Sequence, residues 1–245
     1  MKIKKSELNQ NIHLSEGNIK SKGTEDTMFL TWSLPSRSTC PYSTAECRKR
    51  CFAKKNETFK TVRDSRSRNL AETYKDTFVK DMIKHFEYHL QRPKAQNKLI
   101  IVRIHTSGDF YSKDYFDKWV SIAKHFKGND KILFQAYTKS IRYVWDWIVG
   151  DLDEEYITDQ DIQAGWDEIN IHLVYSIWHD TNADDIEIAT EWLSTENYSL
   201  QTFTALPKEE IENAVNNGAF LCEGDCGTCK ECYTGKSKEI VIPYH

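Results

Sequence analysis

Short runs rich in β-branched and aromatic residues alternate with longer amphipathic stretches along most of the chain, and this alternation is the strongest constraint on its fold. "TMFLTWSL" (27–34) reads as a strand ending at Pro35. Residues 60–91 carry Leu70, Tyr74, Phe78, Met82, Ile83, Phe86 and Leu90 near helical spacing, so they form one long helix or two abutting ones before Pro93. Further strands are expected over 98–105, 131–137, 169–177 and 198–206. Helices are expected over 112–126, 140–150, 183–194 and 207–216, with Ser112 as N-cap of the first. The acidic stretch 151–168 reads as a solvated excursion rather than a carboxylate metal site.

Strands alternating with helices at this spacing predict βαβ units and a parallel sheet, either a doubly wound open sheet or a partial or complete (βα) barrel. Both architectures place chemistry on the loops that follow the strands. Those loops are the stretch after Leu34, "HTSGDF" (105–110), "YTKS" (137–140), "SIWHD" (176–180) and "TFTALP" (202–207). His105 and Asp109 flank one turn with Arg103 on the strand before it, and Thr138, Lys139 and Ser140 form another; His105, Asp109 and Lys139 are the candidate catalytic residues. Ser140 also suits a helix N-cap, and His179 beside Trp178 is a further pocket candidate.

With 39% hydrophobic residues among 245, the chain has enough apolar material for one folded domain over 1–245. Its net charge of −4 gives no global drive toward nucleic acid or an anionic membrane. The N-terminal stretch lacks the apolar core of a signal peptide, and no apolar run approaches the ~20 residues of a membrane span. The expected location is the cytoplasm. GxGxxG, GxxxxGK and the GxSxG elbow of serine hydrolases are all absent from the sequence.

In a reducing compartment clustered cysteines bind metal or do redox chemistry more often than they pair. All seven fall in two groups: Cys40, Cys47 and Cys51, spaced C-x6-C-x3-C, and Cys222, Cys226, Cys229 and Cys232, spaced C-x3-C-x2-C-x2-C within a Cys-rich segment over 218–235. Four close thiolates can close a tetrahedral zinc site or hold an iron–sulfur cluster. Three can hold three irons of a cubane and leave the fourth open, unless one of the C-terminal cysteines supplies the missing ligand. Arg48, Lys49, Arg50, Lys54 and Lys55 flank the first group and would favour thiolates there. Arg63, Arg66 and Arg68, with intervening hydroxyls, are candidate phosphate contacts, so a zinc-stabilised, nucleic-acid-associated protein is the competing class.

The cysteine triplet after the first strand, with Phe52 beside its last member and a small-small-acidic turn after the second strand, resembles the radical S-adenosylmethionine enzymes. That resemblance implies one or two [4Fe-4S] clusters, the first on Cys40, Cys47 and Cys51, and a cofactor-binding turn of Ser107, Gly108 and Asp109 for S-adenosylmethionine. It also implies a redox enzyme with an open iron acting on a small molecule; a non-catalytic electron-transfer or sensor protein is the alternative if a fourth cysteine closes the cluster. The superfamily's standard spacing is C-x3-C-x2-C, from which this triplet departs. A second resemblance, carried by "SLPSRSTCPYSTAECRKRCFA", "RIHTSGDFYSKDYFDKW" and "CEGDCGTCKECY", is to the phage and prophage "gene product 88" type. It implies a phage-derived protein and no substrate.

Overall fold

The computed structural model describes residues 2–244 except 19, 151, 153–155 and 196–199. Among these residues the strands are Thr27–Ser33 (β1), Leu99–Ser107 (β2), Ile132–Thr138 (β3), His172–Ile177 (β4), Gln201–Leu206 (β5), Phe220–Leu221 (β6) and Glu239–Pro243 (β7). They form one parallel sheet in the order β1-β2-β3-β4-β5-β7-β6. Helices Ala45–Lys49 (α1), Phe52–Asn56 (α2), Lys60–Thr73 (α3) and Phe78–Leu90 (α4) connect β1 to β2, and Lys113–His125 (α5) connects β2 to β3. Ile141–Val149 (α6) and Asp159–Ile169 (α7) precede β4. Ala183–Glu187 (α8), continued by a π-helical turn over 188–192, precedes β5, and Lys208–Asn216 (α9) precedes β6. Cys226–Cys229 (α10) and Glu231–Thr234 (α11) lie between β6 and β7.

Alternation of side chains along each strand separates two environments. Met28, Leu30, Trp32, Ile100, Val102 and Ile104 share one core with Phe78, Met82 and Phe86 of α4, Trp119 of α5 and Val144 of α6. The intervening residues Phe29 and Ile101 pack instead against Tyr233 of α11 and Cys226 of α10. Large helices therefore cover one face, and the Cys-rich segment covers part of the other. Burying side chains of this size stabilises by roughly 1.5–3 kcal/mol each. One polar tip in the core is satisfied there, as Trp32 Nε1 donates to the Tyr115 hydroxyl at 2.9 Å.

A doubly wound sheet requires large helices on both faces, and here consecutive strands β1 to β5 are joined across one face only. The sheet is open. β1 and β6 stand at its two edges, and among the described residues no ladder joins them, so the expectation of a complete barrel is not met. β7 inserts between β5 and β6, which reverses the direction of travel. The β6–β7 connection packs on the face of Phe29 and Ile101, opposite the large helices.

Several boundaries differ from the periodicity. The long helical stretch breaks at 74–77 into α3 and α4, and the expected helix over 183–194 becomes α8 plus the π turn. The acidic run is in part α7: Thr158 and Asp161 form a capping box, and Ile162, Trp166 and Ile169 are buried on one side of it. The start of the expected 198–206 strand lies outside the described residues, and its described part begins at Gln201. Strand β7 went unrecognised in the sequence because "EIVIP" is short and directly follows the polar Cys-rich segment.

Candidate functional site

A cavity of about 890 Å³ opens at the C-terminal ends of the strands, within the range of small-molecule and cofactor sites. Cys40, Cys47 and Cys51 all line it. The loop that carries them leaves β1 and is fastened at several points. Thr44 caps α1 by accepting from Cys47 N at 3.2 Å, and Ser43 Oγ donates to Cys40 O at 2.7 Å. The Glu57 carboxylate accepts from Ser36 N (2.6 Å), Ser36 Oγ (2.7 Å) and the buried Arg66 guanidinium (2.9 Å), tying the loop to α3.

The β2 turn is the loop's other anchor. Gly108 has φ +86°, and a Cβ there would lie 2.6 Å from Thr39 Oγ1 and 2.7 Å from Leu34 Cβ, so only glycine permits this approach. Ser107 Oγ donates to Leu34 O at 2.9 Å, and Asp109 N donates to Thr39 O at 3.0 Å. The Asp109 carboxylate is buried and accepts from Thr138 Oγ1 (2.7 Å), Lys139 N (2.8 Å) and Phe110 N (2.8 Å). Burial raises its pKa against the pull of those donors. All three turn residues thus serve to join the cysteine loop, β2 and β3 as folded.

Asp109 also acts on the thiols. Burial, reinforced by this carboxylate, pushes Cys40 up to about 12. Cys47 is raised by burial and drawn back by Lys139, whose Nζ also donates to Ser176 Oγ at 2.8 Å. His105 is placed otherwise. It has φ +64° where the β1–β2 register shifts, and its ring lies in an aromatic cage with Phe110, Tyr115 and Trp119. Nε2 meets the Tyr115 hydroxyl at 3.0 Å, Nδ1 has no partner, and burial lowers its pKa to about 3. The imidazole is neutral and built into the core.

The four C-terminal cysteines line a second, small pocket of about 20 Å³ on the inner face of the sheet. α10 and α11 are single turns that place Cys226, Cys229 and Cys232 against Phe29, Arg103 and Tyr137. Burial raises Cys222 and Cys229 and pushes Cys232 up to about 12. Arg103 NH1 lies 3.9 Å from Cys226 Sγ, and its guanidinium sits 4.8 Å from the Tyr137 ring centroid. Arg103 Nε and Gln135 Nε2 are buried donors without partners. Arg103, Tyr137, Cys222 and Cys226 border both the pocket and the large cavity, so the two cysteine groups are neighbours across a shared wall. Among the described residues no three His, Cys, Asp or Glu side chains stand in metal-holding geometry.

A profile of the family described as "Gene product 88" matches residues 2–235. The chain belongs to the gene product 88 family. The Gene 88 protein of Mycobacterium phage L5 is 29% identical over 139 residues, covering 52% of this chain and 53% of the relative. The corresponding protein of Mycobacterium phage D29 is 28% identical over the same shares. The chain spans about half the length of these curated relatives when aligned. No solved structure matches it.

In this member of the gene product 88 family, sequence reading singled out the cysteines, Asp109 and Lys139 but missed the residues that unite them. Glu57, which carries no motif, fastens the loop together with Arg66, which was expected as a phosphate contact but is buried against Glu57 and Ala53 O. Gln135 and Tyr137 follow the period-2 pattern of β3 toward the inner face, a signal present in the sequence. At the cavity mouth Tyr244 stacks on Trp178 (5.4 Å between centroids, 5° apart), and Arg50 lies 4.6 Å from the Tyr244 ring centroid. His179 Nδ1 meets the Tyr244 hydroxyl at 2.8 Å.

Proposed function

We propose that this gene product 88 protein is a thiolate metalloprotein whose Cys40, Cys47 and Cys51 hold a [4Fe-4S] cluster facing the large cavity, while Cys222, Cys226, Cys229 and Cys232 form a separate closed site. The observation that carries the reading is the grouping of the thiols: Cys40, Cys47 and Cys51 line the cavity of about 890 Å³, and the other four gather around a small pocket whose Cys222 and Cys226 also border that cavity. The support is the chemistry of the donor set, since among the described residues the side chains as placed do not converge in metal-holding geometry. Thiolates select zinc, copper(I) or iron–sulfur clusters, and the unpaired Arg103 Nε and Gln135 Nε2 suit an electron-rich neighbour able to accept their hydrogens. We read the singly wound sheet as a partial (βα) barrel similar to the radical S-adenosylmethionine core. A cluster with three protein ligands would supply an open iron for redox chemistry or for chelating the amino acid end of S-adenosylmethionine.

The chain's own residues have defined parts in this reading. Lys139 Nζ lowers the cost of the Cys47 thiolate, and Asp109 holds the three loops in register. The cavity admits a small-molecule substrate beside them. For the C-terminal group one observation favours zinc over a second cluster. A pocket of about 20 Å³ has room for one water-sized body, which suits a single ion.

Iron, acid-labile sulfide and zinc are to be measured in anaerobically purified protein and in variants. Cys40→Ala, Cys47→Ala or Cys51→Ala should each remove the iron and sulfide. Cys229→Ala or Cys232→Ala should remove zinc and spare the iron. Colourless protein with zinc and no iron or sulfide overturns the cluster assignment, as does full iron retention in all three N-terminal variants.

A further inference from the structure

Residues 37–68 carry ten Lys and Arg against three carboxylates, a surplus of seven positive charges in a chain of net charge −4. The three carboxylates are engaged: Glu46 with Lys49 and Arg50, Asp64 with Lys60, and Glu57 with the buried Arg66. Among the described residues no carboxylate lies within ion-pair distance of Arg48, Lys54, Lys55, Arg63 or Arg68, and all five are exposed. A solvated helix face accounts for cations alone, but this one also presents aromatic rings. Phe52 and Phe59 are 49% and 65% exposed, and both line the mouth of the large cavity. Across that mouth stands the Arg50, Tyr244 and Trp178 stack. Inside it, Arg103 and Lys139 have no carboxylate within ion-pair distance among the described residues.

Cations beside exposed rings at a cavity mouth are the arrangement that tracks a phosphate backbone while stacking unpaired bases. We infer that α2, α3 and the cavity mouth bind single-stranded nucleic acid, with phosphates along Arg48, Lys54, Lys55, Arg63 and Arg68, a base on Phe59, and one nucleotide reaching into the cavity. A duplex keeps its bases stacked inside and cannot use Phe59 in this way. Small anions would use Arg103 and Lys139 but leave the outer row of cations without a role. The acidic balance of the whole chain does not oppose local binding, because exposed charges beyond about 8–10 Å are largely screened at physiological salt. The inference stands apart from the metal reading, since charge and ring exposure act whether or not the thiols hold a cluster.

Fluorescence anisotropy with short labelled single-stranded DNA, single-stranded RNA and duplex DNA, between about 50 and 200 mM salt, tests it on the full purified chain. Saturable binding to single strands is expected, with affinity falling steeply as salt rises. Combined Lys54→Glu, Lys55→Glu, Arg63→Glu and Arg68→Glu should weaken it at least about tenfold and flatten the salt slope by about 3, near 0.7 per lost phosphate contact. Phe59→Ala should weaken single-strand binding by about fivefold or more and leave duplex binding unchanged. Reversing Lys80, Lys127, Lys131 and Lys208 to Glu, all exposed elsewhere, should change affinity by less than about twofold. The DNA and RNA arms identify which strand is preferred. Absence of saturable binding at about 50 mM salt overturns the inference. Equal loss in the two charge-reversed variants, a Phe59→Ala protein indistinguishable from the parent, or binding only to phosphatidylserine vesicles does so too.

Discussion

The buried His105 makes a quantitative claim about how stability depends on pH. Its pKa is lowered from 6.5 to about 3 by burial in the aromatic cage, so between these values the unfolded chain binds a proton that the folded chain refuses. Stability therefore rises with pH across that window and is lost as pH falls below 6.5. With 1.36 kcal/mol per pKa unit, lowering the pH from 7 to 5 costs about 2 kcal/mol from this residue alone. His105→Asn removes the titration and keeps a residue that tolerates positive φ. The variant is expected to be less stable overall, because it loses the ring and the contact with Tyr115. Its urea-unfolding free energy should nevertheless fall about 2 kcal/mol less than the parent's between pH 7 and 5. The other buried histidines, such as His89 with its pKa lowered to about 4 mainly by burial, are present in both proteins and cancel. Parallel pH profiles, within about 0.5 kcal/mol, would refute the argument.

Three more predictions follow from the loop anchors and thiols. Gly108→Ala should destabilise by about 2 kcal/mol or more in urea unfolding, from the left-handed backbone and the contacts with Thr39 and Leu34; a change under about 0.5 kcal/mol would mean the turn relaxes freely. Glu57→Gln should cost about 3 kcal/mol, because it leaves the buried Arg66 uncompensated, and should speed proteolysis within residues 36–57; unchanged cleavage rates would separate the ion pair from the loop. In metal-free protein at about pH 8, iodoacetamide and mass spectrometry should find Cys40 and Cys232 the slowest thiols, since burial pushes both up to about 12; modification of Cys40 at a free-thiol rate contradicts its burial.

How much of this was legible in the sequence depended on how local each cause is. Strands β1 to β5 declared themselves because their apolar and β-branched runs are bounded by turn residues, and the loops after them were rightly marked as the place where polar residues gather. Helix α7 was hidden by its acidic surface, although Ile162, Trp166 and Ile169 carry the i, i+4, i+7 spacing. The open sheet and the insertion of β7 were not legible, because pairing order is a long-range outcome and β7 has five residues. His105 shows the same limit at a single position. As a letter after a strand it suggested catalysis, and it does border the large cavity, but the cage of Phe110, Tyr115 and Trp119 that buries its ring comes from other turns of the chain.

The placement of β7 also ties the Cys-rich segment to the edge of the sheet. Among the described residues β6 pairs with β7 alone, and β7 pairs on its other side with β5. The four C-terminal cysteines lie on the connection between β6 and β7, which packs beneath Phe29 and Ile101 through Cys226 and Tyr233. An ion or cluster bound to the four C-terminal thiols would therefore brace the seating of β7 as well as its own site.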